Sequence, residues 1–195
     1  MKTIYYISLL LAVATRTELV HGQSSFQFRN YRPSIGLDAP VFDSAGNRLA
    51  GTNYLVILYG GPTVDSLAPA WRGSFVMAPA PFTFMPGGQS GYFSESFVYI
   101  PSVSCGGVAW LQVRAWDAHL GTSYEEAVSQ DLGGYGESNL FQKQGGYYCG
   151  LPGLPEPLTG LQSFALRDVI PEPSSTLLLL LGLPALFFLR RRRFP

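Results

Sequence analysis

Few residues of this 195-residue chain could do covalent or metal chemistry. Of its two histidines, His21 lies near the N-terminus, so His119 has no second histidine with which to hold a metal. Residues 87–91 (GGQSG) resemble the nucleophile elbow of a hydrolase, but Gln89 stands where the elbow has its nucleophile. We therefore expect no metal, no cofactor and no enzymatic activity.

Acidic residues leave one catalytic alternative open. A glycosidase needs two facing carboxylates, and Glu95, Asp117 or Glu125 are available. Nothing in the sequence selects a pair among them, and the acidic residues at 125–137 lack the alternating Asp spacing of a calcium loop. A solvated acidic surface is the simpler interpretation, and a glycan-active hydrolase is the third candidate function.

Cys105 and Cys149 are the two cysteines of the chain, and both stand beside glycine. In an exported protein such a pair usually forms a disulfide. Closing the loop between them would add roughly 4 kcal/mol to the stability, by loss of chain entropy in the unfolded state. We expect a disulfide, with two free thiols as the alternative.

The three tryptophans could stack on the apolar faces of sugar rings. They are Trp71, Trp110 and Trp116, and the last two share one face of residues 108–116 (VAWLQVRAW) with Arg114. The small and branched residues of the opposite face are expected to point into the core. The tryptophan face then contacts either a ligand or a neighbouring layer of the protein, and the sequence leaves both possibilities open.

Short apolar or alternating stretches bounded by Gly and Pro predict an all-β fold, a β-sandwich with jelly-roll-like packing. A hairpin is predicted at residues 43–47 and one short helix at 122–129, where Thr122 with Glu125, or Ser123 with Glu126, offers a capping box. The predicted strands are residues 25–29, 54–59, 74–77, 97–100, 108–116 and 163–166.

Charge is distributed unevenly along the chain. Residues 24–170 hold seven basic and eleven acidic side chains, a net charge of about −4. A mildly acidic body without a basic stripe argues against nucleic acid as a partner.

Both termini have the composition of membrane-targeting segments. Lys2 followed by the apolar residues 4–14 predicts a secretory signal peptide at 1–22, with cleavage before Gln23. At the other end, an apolar stretch at about 174–189 predicts a short transmembrane helix. The arginine cluster that follows should stop transfer and stay in the cytoplasm, which places the body outside it. That cluster is Arg190, Arg191, Arg192 and Arg193.

The C-terminal segment resembles the PEP-CTERM sorting signal. Pro171, Glu172 and Pro173 precede the apolar stretch and the arginines in the order and position typical of that family. Residues 39–69, 111–141 and 158–166 are also similar to the ectodomains of PEP-CTERM proteins, a group without an assigned activity. The resemblance implies a Gram-negative source and cleavage near Pro-Glu-Pro by an exosortase. The alternative is a permanent anchor with a stiff proline-containing stalk.

These observations divide the chain into a signal peptide (1–22), a β-sandwich ectodomain (23–168) and a sorting signal (169–195). We expect an exported protein, tethered briefly to the inner membrane and then delivered to the cell surface or extracellular matrix. Its expected role there is structural or adhesive. The alternative is a carbohydrate-binding module for exopolysaccharide. The expected partners are exosortase, the secretion machinery, the membrane and exopolysaccharide.

Overall fold

A computed structural model describes residues 23–72, 78–94, 97–146 and 154–168. The predicted signal peptide, the sorting signal, the predicted strand at 74–77 and Cys149 lie outside these ranges. Within them, none of the helices has the length and apolar character needed to cross a membrane.

The described residues form mainly short strands, which confirms the prediction of a β-rich fold. One α-helix, α1, spans Tyr124–Ser129 in this part of the chain. In chain order the strands are β1 (Gln23–Gln27), β2 (Tyr31–Arg32), β3 (Leu37–Asp38), β4 (Val41–Phe42), β5 (Gly51–Gly61), β6 (Ala68–Pro69), β7 (Trp71–Arg72), β8 (Ala78–Pro79), β9 (Phe82–Phe84), β10 (Val98–Ser104), β11 (Val108–Asp117), β12 (Tyr135–Glu137), β13 (Phe141–Gln144), β14 (Glu156–Pro157) and β15 (Phe164–Ala165).

Two larger sheets contain most of these strands. The first sheet has the order β14-β1-β10-β7-β8. The second has the order β12-β11-β5-β6, with β13 also paired to β11 and β9 to β5. Two small sheets, β15-β4 and β2-β3, and three isolated bridges complete the described pairing. Neighbouring strands run antiparallel except in the pairs β1–β14 and β4–β15.

The longest strand pair joins β5 to β11. Their register runs from Trp110 opposite Gly61 to Asp117 opposite Tyr54 without a shift. The β5 residues Val56 and Leu58 belong to the main core, whereas Ile57 and Tyr59 belong to a second, smaller apolar cluster. The apolar run at 54–59 is thus a strand covered on both faces, as its composition predicts.

The main core lies between the two larger sheets. Phe26 from β1, Ile100 from β10 and Leu58 from β5 are almost completely buried in it. The small and branched residues of β11 also belong to this core and are 0% exposed, which confirms the predicted direction of that face. They are Ala109, Leu111, Val113 and Ala115. Two sheets around one core is a layered arrangement, and its jelly-roll-like path stays a prediction.

Helix α1 covers the outer face of the β5–β11 pair. Its N-cap is Ser123, whose Oγ accepts a hydrogen bond from the Glu126 N–H at 3.2 Å, and the Glu126 carboxylate accepts one from the Ser123 N–H at 3.3 Å. This is the second of the two predicted capping boxes. Hydrogen bonds from Thr122 and Ser123 hold the pKa of Glu126 below its ordinary value. The helix buries Tyr124 and Ala127 against the sheet.

Close packing at Gly61 generates a first test. A Cβ at this position would overlap the backbone carbonyl oxygen of Ser66. We expect Gly61→Ala to lower the free energy of unfolding by about 1–3 kcal/mol, because backbone atoms must shift to accept the methyl group. Gly88→Ala is the matched control, since no atom lies within 4 Å of the added carbon. Chemical denaturation followed by circular dichroism measures both, and equal stabilities would contradict the packing argument.

Candidate functional site

An open cleft of about 460 Å³ contains two arginines and two tyrosines. We call it the arginine–tyrosine cleft. The lining residues with a polar side chain are Arg29, Tyr31, Arg48, Gln89, Tyr92 and Ser94. The sequence predicted none of these as a site residue, and Gln89 was considered only as the residue that breaks the nucleophile-elbow pattern.

Three chain segments supply the lining. Arg29 and Tyr31 lie where β1 leads into β2, and Arg48 follows the hairpin at 43–47. That hairpin is formed as predicted, with the Asp43 N–H donating to the Asn47 carbonyl at 2.8 Å. The third segment, 85–94, contains a short 3₁₀ turn at Gly87–Gln89.

Buried Asn30 joins the first of these segments to the third, and also to residue 39. Its Nδ2 donates hydrogen bonds to the carbonyls of Ala39 at 2.8 Å and Gly91 at 2.9 Å. Its Oδ1 accepts one from the Phe93 N–H at 2.8 Å. A 0% exposed amide with both donors and its acceptor satisfied fixes the loops rigidly. Asn30 therefore sets the relative positions of the neighbouring residues Arg29 and Tyr31 and of the opposite wall.

The aromatic wall of the cleft contains two tyrosine rings in contact, with their planes tilted by 41°. The rings of Tyr31 and Tyr92 are 4.7 Å apart, and the Arg48 guanidinium carbon lies 5.1 Å from the centre of the Tyr92 ring. The Tyr92 hydroxyl donates to Asp38 at 2.8 Å. Burial, and then this hydrogen bond, raises the pKa of Tyr92, so the phenol stays neutral. Tyr92 is thus a buried support, while Tyr31 remains 48% exposed.

Arg29 has unused hydrogen-bonding capacity. Its Nη2 donates to the Ser94 hydroxyl at 3.1 Å. Its Nε is buried and has no hydrogen-bond partner among the described residues. Neither Arg29 nor Arg48 forms an ion pair with a carboxylate in the described ranges. Guanidinium groups present several donors in a plane, so this wall is suited to bind anions rather than to transfer groups.

A second polar cluster surrounds Arg114 on the outer face of β11. Its guanidinium carbon lies 4.0 Å from the Tyr59 ring centre and 5.1 Å from that of Tyr124. Glu125 and Glu137 lie 3.8 and 3.9 Å from its nitrogens. Glu125 also accepts a 2.6 Å hydrogen bond from the Tyr59 hydroxyl. The charges and hydrogen-bonding groups of this cluster are thus paired with one another. Because Glu125 belongs to α1 whereas Arg114 and Tyr59 belong to the sheet, these contacts hold α1 on the sheet.

The tyrosines of this cluster stay protonated at neutral pH. Burial, followed by the hydrogen bond to Glu125, raises the pKa of Tyr59 well above its ordinary value. Burial also raises the pKa of Tyr124 to about 12, with the charge of Glu137 as a smaller cause. Neither phenol can act as a base under physiological conditions.

The structure separates the three predicted stacking residues. Trp116 is only 1% exposed, its Nε1 donates to the Gly121 carbonyl at 3.0 Å, and its ring packs edge-on against Tyr124. For Trp116 this burial favours packing against α1 over the predicted ligand contact. Trp71 in β7 and Trp110 in β11 are partly buried, and for them it stays a prediction. None of the three lines the arginine–tyrosine cleft.

The other candidate groups do not converge on one catalytic or metal site. Asp117 accepts from the His119 backbone and lies 2.7 Å from its Nδ1, while Glu125 belongs to the Arg114 cluster. Glu95 lies outside the described residues. The described ranges contain no group of three or more metal-ligating side chains. They also contain no free cysteine, since the Cys105 sulfur is in a disulfide. Because Cys149 lies outside the described residues, the pairing of Cys105 with Cys149 stays a prediction.

The chain contains a second Pro-Glu-Pro triplet, at residues 155–157, for which the sequence predicted no role. Its last two residues form β14, which pairs with β1 through Phe26 opposite Glu156. The Glu156 carboxylate lies 3.9 Å from the Lys143 ammonium group. Leu158, directly after the triplet, is completely buried in the main core. This triplet is therefore part of a folded sheet.

Comparison with known proteins adds no relative. No family model, no curated protein and no solved structure matches this chain. The resemblance to PEP-CTERM proteins stays a prediction from the sequence, and the predicted sorting residues, 171–173 and 190–193, lie outside the described ranges.

Removing the Asn30 amide tests what fixes the cleft. In Asn30→Ala the buried Phe93 N–H and Ala39 carbonyl lose this partner, so we expect a loss of about 2–4 kcal/mol in unfolding free energy. Asn47→Ala is the matched control, because its exposed amide bonds only Asp43 within the hairpin. We expect that change to cost less than about 1 kcal/mol. Urea denaturation measures both, and a stable Asn30→Ala protein would show that the amide does not fix the loops.

The tryptophans can be separated by their stability costs. Trp116→Ala removes a ring that is fully enclosed, and we expect it to cost about 3–5 kcal/mol. Trp110→Ala, on the same strand but partly exposed, should cost less than about 2 kcal/mol. Thermal unfolding of both variants checks this order. The reverse order would return Trp116 to the list of ligand-contact candidates.

Proposed function

We propose that this chain is an exported protein of the Gram-negative cell surface or extracellular matrix, sorted and cleaved by an exosortase. The two terminal signals carry this proposal: Lys2 with its apolar run, and Pro171-Glu172-Pro173 followed by an apolar segment and four arginines. Signals of this kind at opposite ends fit a chain that crosses the membrane once and is then released.

The choice of cleavage site has a physical basis. Two prolines around a glutamate disfavour helix and keep a segment extended, which is the conformation that a protease binds. The triplet at 155–157 has the same residues, but it is paired in a sheet and followed by a buried leucine. This contrast supports processing at 171–173 alone.

A structural or adhesive role suits the body of the protein. Two sheets around a continuous apolar core give a rigid unit, and most of its charged side chains lie at the surface. Such a unit, shaped as a β-sandwich, can present fixed surfaces to a polymer matrix without further conformational change.

Carbohydrate binding is the second candidate, and one observation favours it. The arginine–tyrosine cleft combines an exposed ring, Tyr31, with guanidinium groups that have no carboxylate partner in the described ranges. Apolar surface with a few convergent polar groups is typical of small-ligand sites. The predicted exopolysaccharide partner would then bind here rather than on the tryptophans.

Cleavage at residues 171–173 can be tested by changing the glutamate of each Pro-Glu-Pro triplet in turn and comparing the two variants. In a Gram-negative host that has an exosortase, the released protein should have an intact mass that excludes residues 190–193. Glu172→Ala should leave the arginines on most molecules, because the recognised segment has changed. Glu156→Ala should be processed like the parent chain, since its triplet lies in the sheet.

A host lacking the exosortase gene is the second control, and it should retain the full C-terminus. Released protein that still carries the arginine cluster would contradict the sorting proposal. Equal loss of processing in the two glutamate variants would contradict the argument from folded context.

A further inference from the structure

The arginine–tyrosine cleft has a charge opposite to that of the body around it. Two of the seven basic residues between 24 and 170 line it, whereas none of the acidic residues that the structure describes does. The Asp38 carboxylate accepts a hydrogen bond from the Tyr92 hydroxyl, but Asp38 is not one of the lining residues. In a body of net charge about −4, the cleft therefore attracts an anion locally.

Its size and aromatic wall restrict what kind of anion fits. A volume of about 460 Å³ is within the range of small-ligand sites and exceeds the needs of a free inorganic ion. Tyr31 is 48% exposed, and its ring contacts the ring of Tyr92, with the two centroids 4.7 Å apart. An exposed, braced ring is a platform for an apolar face such as the C–H face of a sugar ring.

The donor groups favour a planar anion. Arg48 is held over Tyr92, and Arg29 is held by Ser94 while its Nε lacks a partner among the described residues. A guanidinium group matches the two oxygens of a carboxylate by paired hydrogen bonds. Because the arginines are already positioned, less side-chain entropy is lost when a ligand binds.

We propose that the arginine–tyrosine cleft binds a saccharide unit that carries a carboxylate, as in an acidic exopolysaccharide. Arg48 and Arg29 bind the carboxylate, and Tyr31 stacks on the sugar ring. This assignment rests on the carbohydrate-binding function proposed above and specifies the chemical class of its ligand.

Calorimetric titration of the full-length chain in detergent tests the proposal with three probes: an oligogalacturonate, its carboxyl-reduced counterpart and dextran sulfate. We expect the oligogalacturonate to bind and the other two to bind at least about tenfold more weakly, because only the first offers both a carboxylate and a stacking face. Added salt should weaken the binding.

Variants locate the binding. Arg48→Gln should weaken oligogalacturonate binding by about tenfold or more. Arg167→Gln is its matched control, since that exposed guanidinium also lies 5.1 Å from a tyrosine ring but outside the cleft, and it should change the affinity less than about twofold. Tyr31→Ala should weaken binding by about three- to tenfold, whereas Tyr31→Phe should retain it. Circular dichroism confirms that each variant is folded.

The outcomes separate the two proposals. Oligogalacturonate binding that is insensitive to Arg48→Gln and Tyr31→Ala overturns the cleft assignment but leaves carbohydrate binding in place. Equal binding of dextran sulfate overturns the preference for a carboxylate. Absence of binding to all three probes overturns the carbohydrate-binding function together with the cleft assignment.

Discussion

The pairing of β5 with β11 is the constraint on which the rest of the structure depends. This ladder is unbroken from Gly61 to Tyr54 and is covered on both faces. One face contributes to the main core against the first sheet, and the other is covered by α1. Because adjacent side chains of a strand point in opposite directions, a shift of one residue would exchange the contents of the two clusters. The packing of the first sheet on one face and of α1 on the other is therefore tied to this register.

The cleft depends on a different kind of interaction. Three loops meet at Asn30, and its side-chain hydrogen bonds substitute there for the sheet ladder. A buried amide is costly unless all of its groups are paired, and here they are. The same pairing fixes Arg29 and Tyr31 on one wall relative to Phe93 on the other. Hydrogen bonds from one buried side chain can thus hold the walls of the cleft in place.

Local pattern predicted the β-rich class, the core face of β11, the hairpin and the Ser123 capping box, because each depends on residues a few positions apart. It did not predict the cleft. Asn30 and Phe93 are 63 positions apart, and no periodicity relates them. The sequence could not predict which aromatic residue is exposed, for the same reason. α1 buries Trp116, whereas Tyr31 stays exposed, and this difference depends on the tertiary packing. The presence of aromatic residues indicated that a ring could stack on a ligand, but not which ring is exposed to do so.

Tertiary structure also affects whether a protease can bind a Pro-Glu-Pro triplet. A protease that binds an extended segment competes with any strand that already pairs with it, and β1 occupies that position for residues 156–157. Opening β14 would also draw Leu158 out of the main core, where it is completely buried. Burying a leucine contributes about 1.5–3 kcal/mol, so the opened form is rare even before the strand pairing is counted. The triplet at 155–157 is therefore structural, and the signal role proposed for 171–173 does not extend to it.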